Sequence, residues 1–146
     1  MRLKNALTVI VLAGLSTSTV AAADLPAALV TPYLQVQGAL ADDQFGGVAA
    51  PAKSIEVAAA ALGKDGEKLV ATAKALSAAK DIAAARTAFG DLSTELVAYA
   101  EKTKSGFGAD VKQAFCPMAN KPWLQKDKDI KNPYYGASML TCGNFK

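Results

Sequence analysis

The residues with the most chemistry in this chain lie near its end, in two short runs. Cys116-Pro117-Met118 and Met139-Leu140-Thr141-Cys142 carry both cysteines and both methionines other than Met1. In an extended stretch, residues two apart project to the same side, so Cys116 and Met118 can present their sulfurs together. In a helical turn, residues three apart share a face, which does the same for Met139 and Cys142. Joined by folding, the two pairs would make a pocket of two thiolates and two thioethers. Soft donors of that kind select Cu(I), whereas Zn(II) is poorly served by thioethers. The chain has no histidine. That removes histidine-based nucleophilic triads, His-Glu zinc motifs and haem on a histidine ligand, and it leaves sulfur as the natural metal donor.

A second reading of the same residues stays open. Two cysteines in an exported chain commonly form a disulfide, with the methionines serving as packing. A Cys116–Cys142 bridge closes a loop of about 27 residues, which stabilises a fold by roughly 3 kcal/mol in the chain-entropy treatment. The two readings are compatible, since a reduced pair can bind metal and an oxidised pair cannot.

Other residues of the same region have plainer roles. Trp123 is expected to plug the open end of a helical bundle, with a contact of its ring to a bound monovalent cation as the alternative. Tyr134 and Tyr135, after Pro133, form the aromatic base of the turn that returns the chain to Cys142. Lys121, Lys126, Lys128 and Lys131 alternate with Asp127 and Asp129, a solvated and charge-balanced loop rather than an anion site.

The elements that must position these residues are helical. Ile82, Ala85, Phe89, Leu92, Leu96 and Tyr99 alternate steps of three and four, a seam that packs helix on helix, and Asp81 stands where a cap belongs. Further helices are expected over Pro26–Asp42, with a proline in the first turn, over Ala50–Leu62 ending at Gly63, and over Glu67–Ala78. Gly90 inside the longest helix costs about 1 kcal/mol of propensity against alanine, which a close helix crossing would explain. Beyond Ser105, prolines and glycines rule out a long helix. That stretch reads as a compact loop with room for a short strand pair, folded back on the bundle. The expected fold is therefore all-α: an antiparallel four-helix bundle over 24–105, with an irregular tail over 106–146 packed on it as part of one domain.

At the start, Arg2 and Lys4 precede the apolar run Ala6–Leu15, and Ala21-Ala22-Ala23 precedes Asp24. This is the layout of a secretory signal over 1–23, and about ten apolar residues fall short of the roughly 20 that span a bilayer. The rest of the chain is expected to be periplasmic or secreted, without a membrane span. Basic residues number 16 against 13 acidic, a net charge of +3, and losing Arg2 and Lys4 would leave 14 against 13, or +1. That is no footprint for nucleic acid.

The tail runs Cys116-Pro117-Met118-Ala119-Asn120, Trp123-Leu124, Ile130-x-Asn132-Pro133-Tyr134-Tyr135-Gly136 and Met139-Leu140-x-Cys142-Gly143. It is similar to a bacterial family, domain of unknown function 3347, and Arg86–Ser93 resembles that family's last bundle helix. The resemblance implies an exported helical-bundle module, also found attached to membrane-fusion subunits of heavy-metal efflux pumps. It implies handling of heavy metals outside the cytoplasm, with an efflux component or another envelope protein as partner. Its Cys and Met positions fall on Cys116, Met118, Met139 and Cys142. Many members carry a histidine in the first helix; this chain has none, so only the sulfur set carries over.

Catalysis finds little support in the residues. There is no Cys-x-x-Cys, no nucleophile with a histidine base and no glycine-rich phosphate loop. The carboxylates are scattered along helix faces rather than paired for acid and base work. The expectation is a non-enzymatic soft-metal protein, or else a disulfide-stapled interaction module that binds no metal.

Overall fold

The computed structural model describes residues 22–146. The signal segment expected over 1–23 lies outside the described residues except for Ala22 and Ala23. Four helices follow: α1 (Ala27–Ala41), α2 (Ala49–Ala60), α3 (Glu67–Ser77) and α4 (Ile82–Thr103). Asp81 caps α4 as its position requires, its carboxylate accepting a hydrogen bond from Ala84 N at 2.8 Å. Pro26 stands at the N-cap of α1, while Pro32 lies inside that helix. Among the described residues no helix is long and apolar enough to cross a membrane.

After α4 the expectation of a purely helical fold is corrected. β1 (Lys112–Cys116), β2 (Lys121–Gln125) and β3 (Asn144–Phe145) form an antiparallel three-stranded sheet in the order β2-β1-β3. β1 and β2 are a hairpin in which Ala114 faces Trp123 and Cys116 faces Lys121. β3 pairs Phe145 with Ala114 and Asn144 with Phe115. The sheet follows from burial. Ala114, Cys116, Trp123 and Leu124 are all fully buried, and five-residue strands suffice when one face is covered by helices.

The layering explains Gly90. Each helix packs against the next in the chain, and β2 packs on both α4 and α1. The wall between the first and last helices is thus taken by a strand rather than by a helix crossing. A Cβ on Gly90 would sit 3.3 Å from Lys121 Cγ and 3.3 Å from Tyr134 Cε1, so the glycine clears space for the tail and not for another helix. That corrects the expectation drawn from its position.

An aromatic chain runs through this junction. Tyr33 of α1 lies 4.9 Å from Phe89 of α4, Phe89 lies 6.0 Å from Tyr134, and Tyr134 meets Trp123 edge-on at 5.9 Å. Trp123, Tyr33 and Phe89 are fully buried, each contributing about 1.5–3 kcal/mol of burial. Polar groups tie the same layers. Gln37 Nε2 of α1 donates to Lys131 O at 2.9 Å, and the Tyr134 hydroxyl donates to Pro122 O. Gln125 is a buried template for the loop that follows it. Its carbonyl accepts from Trp123 Nε1 at 2.9 Å and Lys131 N at 3.0 Å, and its amide donates to Asp127 O and Asp129 O. The lysine-rich stretch is an exposed loop looped over that glutamine, with Lys131 paired to Asp127 at 3.2 Å.

Candidate thiol site

Cys116 is the last residue of β1, fully buried. Residues 117–120 then form the hairpin turn, with Asn120 at φ 51°, and the turn folds back over the sulfur. Ala119 N donates to Cys116 Sγ at 3.3 Å. Cys142 arrives from the other direction. The turn Gly136–Ser138 leads into Met139, and Cys142 N donates to Met139 O at 3.0 Å. Continuing the β1–β3 register by one step puts Cys116 opposite Gly143, beside Cys142. The Cys116 thiol is near enough to bear on the ionisation of Cys142. Both are free thiols, so the pair that could have formed a disulfide is not bonded in this structure.

Asn132 joins the two halves. Fully buried, its Nδ2 donates to Cys116 Sγ at 3.2 Å and to Cys142 O at 2.6 Å, and its Oδ1 accepts from Tyr134 N at 2.8 Å. Asn132 N in turn donates to Leu140 O at 2.7 Å. The Cys116 sulfur therefore receives two N–H donors in a site closed to water. Cys142 is half-buried, and burial, with the nearby Cys116 thiol adding to it, pushes its thiol above the usual range. One sulfur is shielded and the other reachable.

The methionines are placed differently from each other. Met118 rides the turn rather than an extended stretch, so the two-residue alternation expected of Cys116 and Met118 is broken at Pro117, and Met118 is 63% exposed. Met139 is half-buried and shares a hydrogen-bonded turn with Cys142, as its spacing suggested. Trp123 shares the sheet face of Cys116, and its ring lies against Gly143, where a Cβ would come within 2.5 Å of Cη2. Its ring is fully buried, packed as core rather than turned to solvent. Among the described residues no cluster of three or more His, Cys, Asp or Glu gathers to hold a metal ion. An ion here would rest on the two thiols, with thioethers as the remaining donors. Asn132 went unnoticed in the sequence because an asparagine before a proline reads as a turn residue.

A second constellation pins the tail nearby. Arg86 of α4 donates from Nε to Pro133 O at 3.0 Å, and from Nη2 to Leu40 O at 3.0 Å and Asp43 Oδ1 at 2.5 Å. Asp43 Oδ2 accepts from Ala137 N at 3.0 Å. These contacts, the amide of Ala137 first and the guanidinium second, hold the Asp43 carboxyl below the usual carboxylate range. One arginine thus fastens the end of α1, the start of α4 and the tail.

The fold and site define a four-helix module closed by a sheet-bearing tail that carries two free thiols. The chain belongs to the family described as "Protein of unknown function (DUF3347)", whose model matches residues 29–107. That stretch is the helical part, so membership rests on the bundle rather than on the sulfur-bearing tail. No curated protein and no solved structure matches the chain.

Proposed function

We propose that this protein binds a soft metal ion, Cu(I) being the ion its donors favour, and that it holds or hands over that ion outside the cytoplasm as part of heavy-metal homeostasis. The observation that carries the reading is that the hairpin and the β3 return bring Cys116 and Cys142 together from 26 positions apart, with Asn132 Nδ2 bonded to the sulfur of one and the carbonyl of the other. Two thiolates satisfy the low coordination that Cu(I) accepts, and a thioether adds a neutral donor that keeps the ion exchangeable. Met139, in the same turn as Cys142, is the nearer candidate along the chain for that role, and Met118 is the exposed one. Binding releases the thiol protons, and the two N–H groups at Cys116 Sγ offset charge left on that sulfur. Half-buried Cys142 is the point of entry. A heavy-metal efflux component or another envelope protein would be the acceptor.

The test is anaerobic titration of the reduced protein with Cu(I) against a competing chelator. Cys116→Ser and Cys142→Ser are expected to abolish tight binding, and Met139→Leu to weaken it about tenfold. Unchanged affinity in the cysteine variants removes the site.

The same placement favours one second reading. Two thiols carried on neighbouring chain positions can be oxidised to a disulfide in an oxidising compartment, which would staple the tail and leave a metal-free interaction module. Counting free thiols on protein taken from its own compartment separates the two. A reactive reduced pair supports the metal reading, and a fully oxidised pair resistant to mild reductant supports the staple.

A further inference from the structure

Between α4 and the tail lies a cavity of about 390 Å³ lined by Arg86, Thr87, Gly90, Asp91, Lys121 and Tyr135, with Ala83, Ala119 and Tyr134 completing it. We propose that it binds a small organic carboxylate with a compact apolar body. The volume falls within the 300–1,000 Å³ typical of small-molecule sites, and such sites pair an apolar lining with a few convergent polar groups. The apolar part here is supplied by two alanines, by the bare backbone of Gly90 and by the tyrosine rings. A larger residue at position 90 would fill the space, since its Cβ already meets Lys121 and Tyr134 at 3.3 Å.

The polar part consists mainly of unused donors. Arg86 spends Nε and Nη2 on Pro133, Leu40 and Asp43, while Nη1 makes no hydrogen bond among the described residues. The Tyr135 hydroxyl makes none either, although the neighbouring Tyr134 hydroxyl is bound to Pro122 O. A guanidinium already fixed through Nε and Nη2 holds its free Nη1 as a preorganised donor, and a carboxylate oxygen is an acceptor that suits it. Lys121 and Asp91 form an ion pair at 2.9 Å in which both side chains are partly exposed, so their charges largely cancel at the rim. Neither cysteine lines the cavity, so the proposal stands or falls independently of the metal reading.

Benzoate serves as the probe, followed by amide shifts in isotopically labelled full-length protein, with benzylamine and inorganic phosphate as comparisons. Saturable shifts at Gly90 and Ala119 are expected with benzoate, at a Kd of about 1 mM or tighter. Tyr135→Phe, which removes an unbonded hydroxyl, is expected to weaken binding about threefold to tenfold. Gly90→Ala is expected to weaken it by intrusion of a methyl group, and Cys116→Ser with Cys142→Ser is expected to leave it unchanged. The proposal is overturned by an absence of saturation with benzoate, by equal binding of benzylamine or phosphate, or by an unaltered Kd in Tyr135→Phe.

Discussion

The hydroxyl of Tyr33 lies 2.6 Å from Ser93 Oγ and also accepts a hydrogen bond from Leu124 N at 3.2 Å. One phenol therefore joins α1, α4 and β2 at a point where all three are closed to water. Burial pushes that phenol far above its usual range, so it stays neutral at any working pH. Tyr33→Phe keeps the ring but leaves the Ser93 hydroxyl and the Leu124 amide short of a partner. The expected loss is about 1–3 kcal/mol in chemical denaturation. A loss too small to measure would mean the layers are held by apolar packing alone.

Asp43 and Arg86 make stability depend on pH in a stated direction. The folded carboxyl titrates below its ordinary value of 3.8, so its contribution is fully present above that value and is lost as pH falls through the folded one. Asp43→Asn should destabilise the protein at neutral pH, and the gap to the parent should close as pH falls below 3.8 and through the lower folded value. Other carboxylates titrate in both proteins and drop out of the difference. A gap that is constant across that window would show that the carboxylate charge contributes nothing.

Asn132 is expected to govern the thiol pair. Asn132→Ala strands the Tyr134 amide and the Cys142 carbonyl in a buried site, at a cost of about 2–3 kcal/mol. In the parent, Cys142 should react with a thiol reagent at least about tenfold faster than buried Cys116. In the variant the two rates should converge. Equal rates in the parent would contradict the asymmetry between the sulfurs.

Gly143 has φ +144°, and a Cβ there would lie 2.5 Å from Trp123 Cη2 and 3.0 Å from Phe115 O. Gly143→Ala therefore combines backbone strain with a collision against rigid neighbours, and should cost at least about 2 kcal/mol. The chain has a single tryptophan, so its fluorescence reports the site directly. Red-shifted emission is expected in the variant, and emission identical to the parent's would place the clash elsewhere.

The helices were legible because their signals are local. The apolar periodicity, the Asp81 cap and the break at Gly63 put both ends of α1, α2 and α3 and the start of α4 within two residues of their observed places, while the seam stops at Tyr99, four residues short of the end of α4. The sheet was legible only as room for a short strand pair in the tail, because β1 and β2 have five residues each, β2 contains Pro122, and their pairing depends on partners across the fold. Gly90 shows the limit well: a residue cleared for close approach can be recognised, but not what approaches it. The cysteine pair could be named from its residues, and its alignment in space could not. Nothing near Asp43 in the chain announces Arg86, which stands 43 positions away.

The strand that occupies the gap between α1 and α4 also decides how this chain can be divided. Cut after residue 107, where the family match stops, the four helices would form a trough with Tyr33, Phe89 and Ser93 opened to water along its length. Any chimera that exchanges the sulfur-bearing tail must carry along the matching faces of both flanking helices, because neither piece has a complete interior without the other.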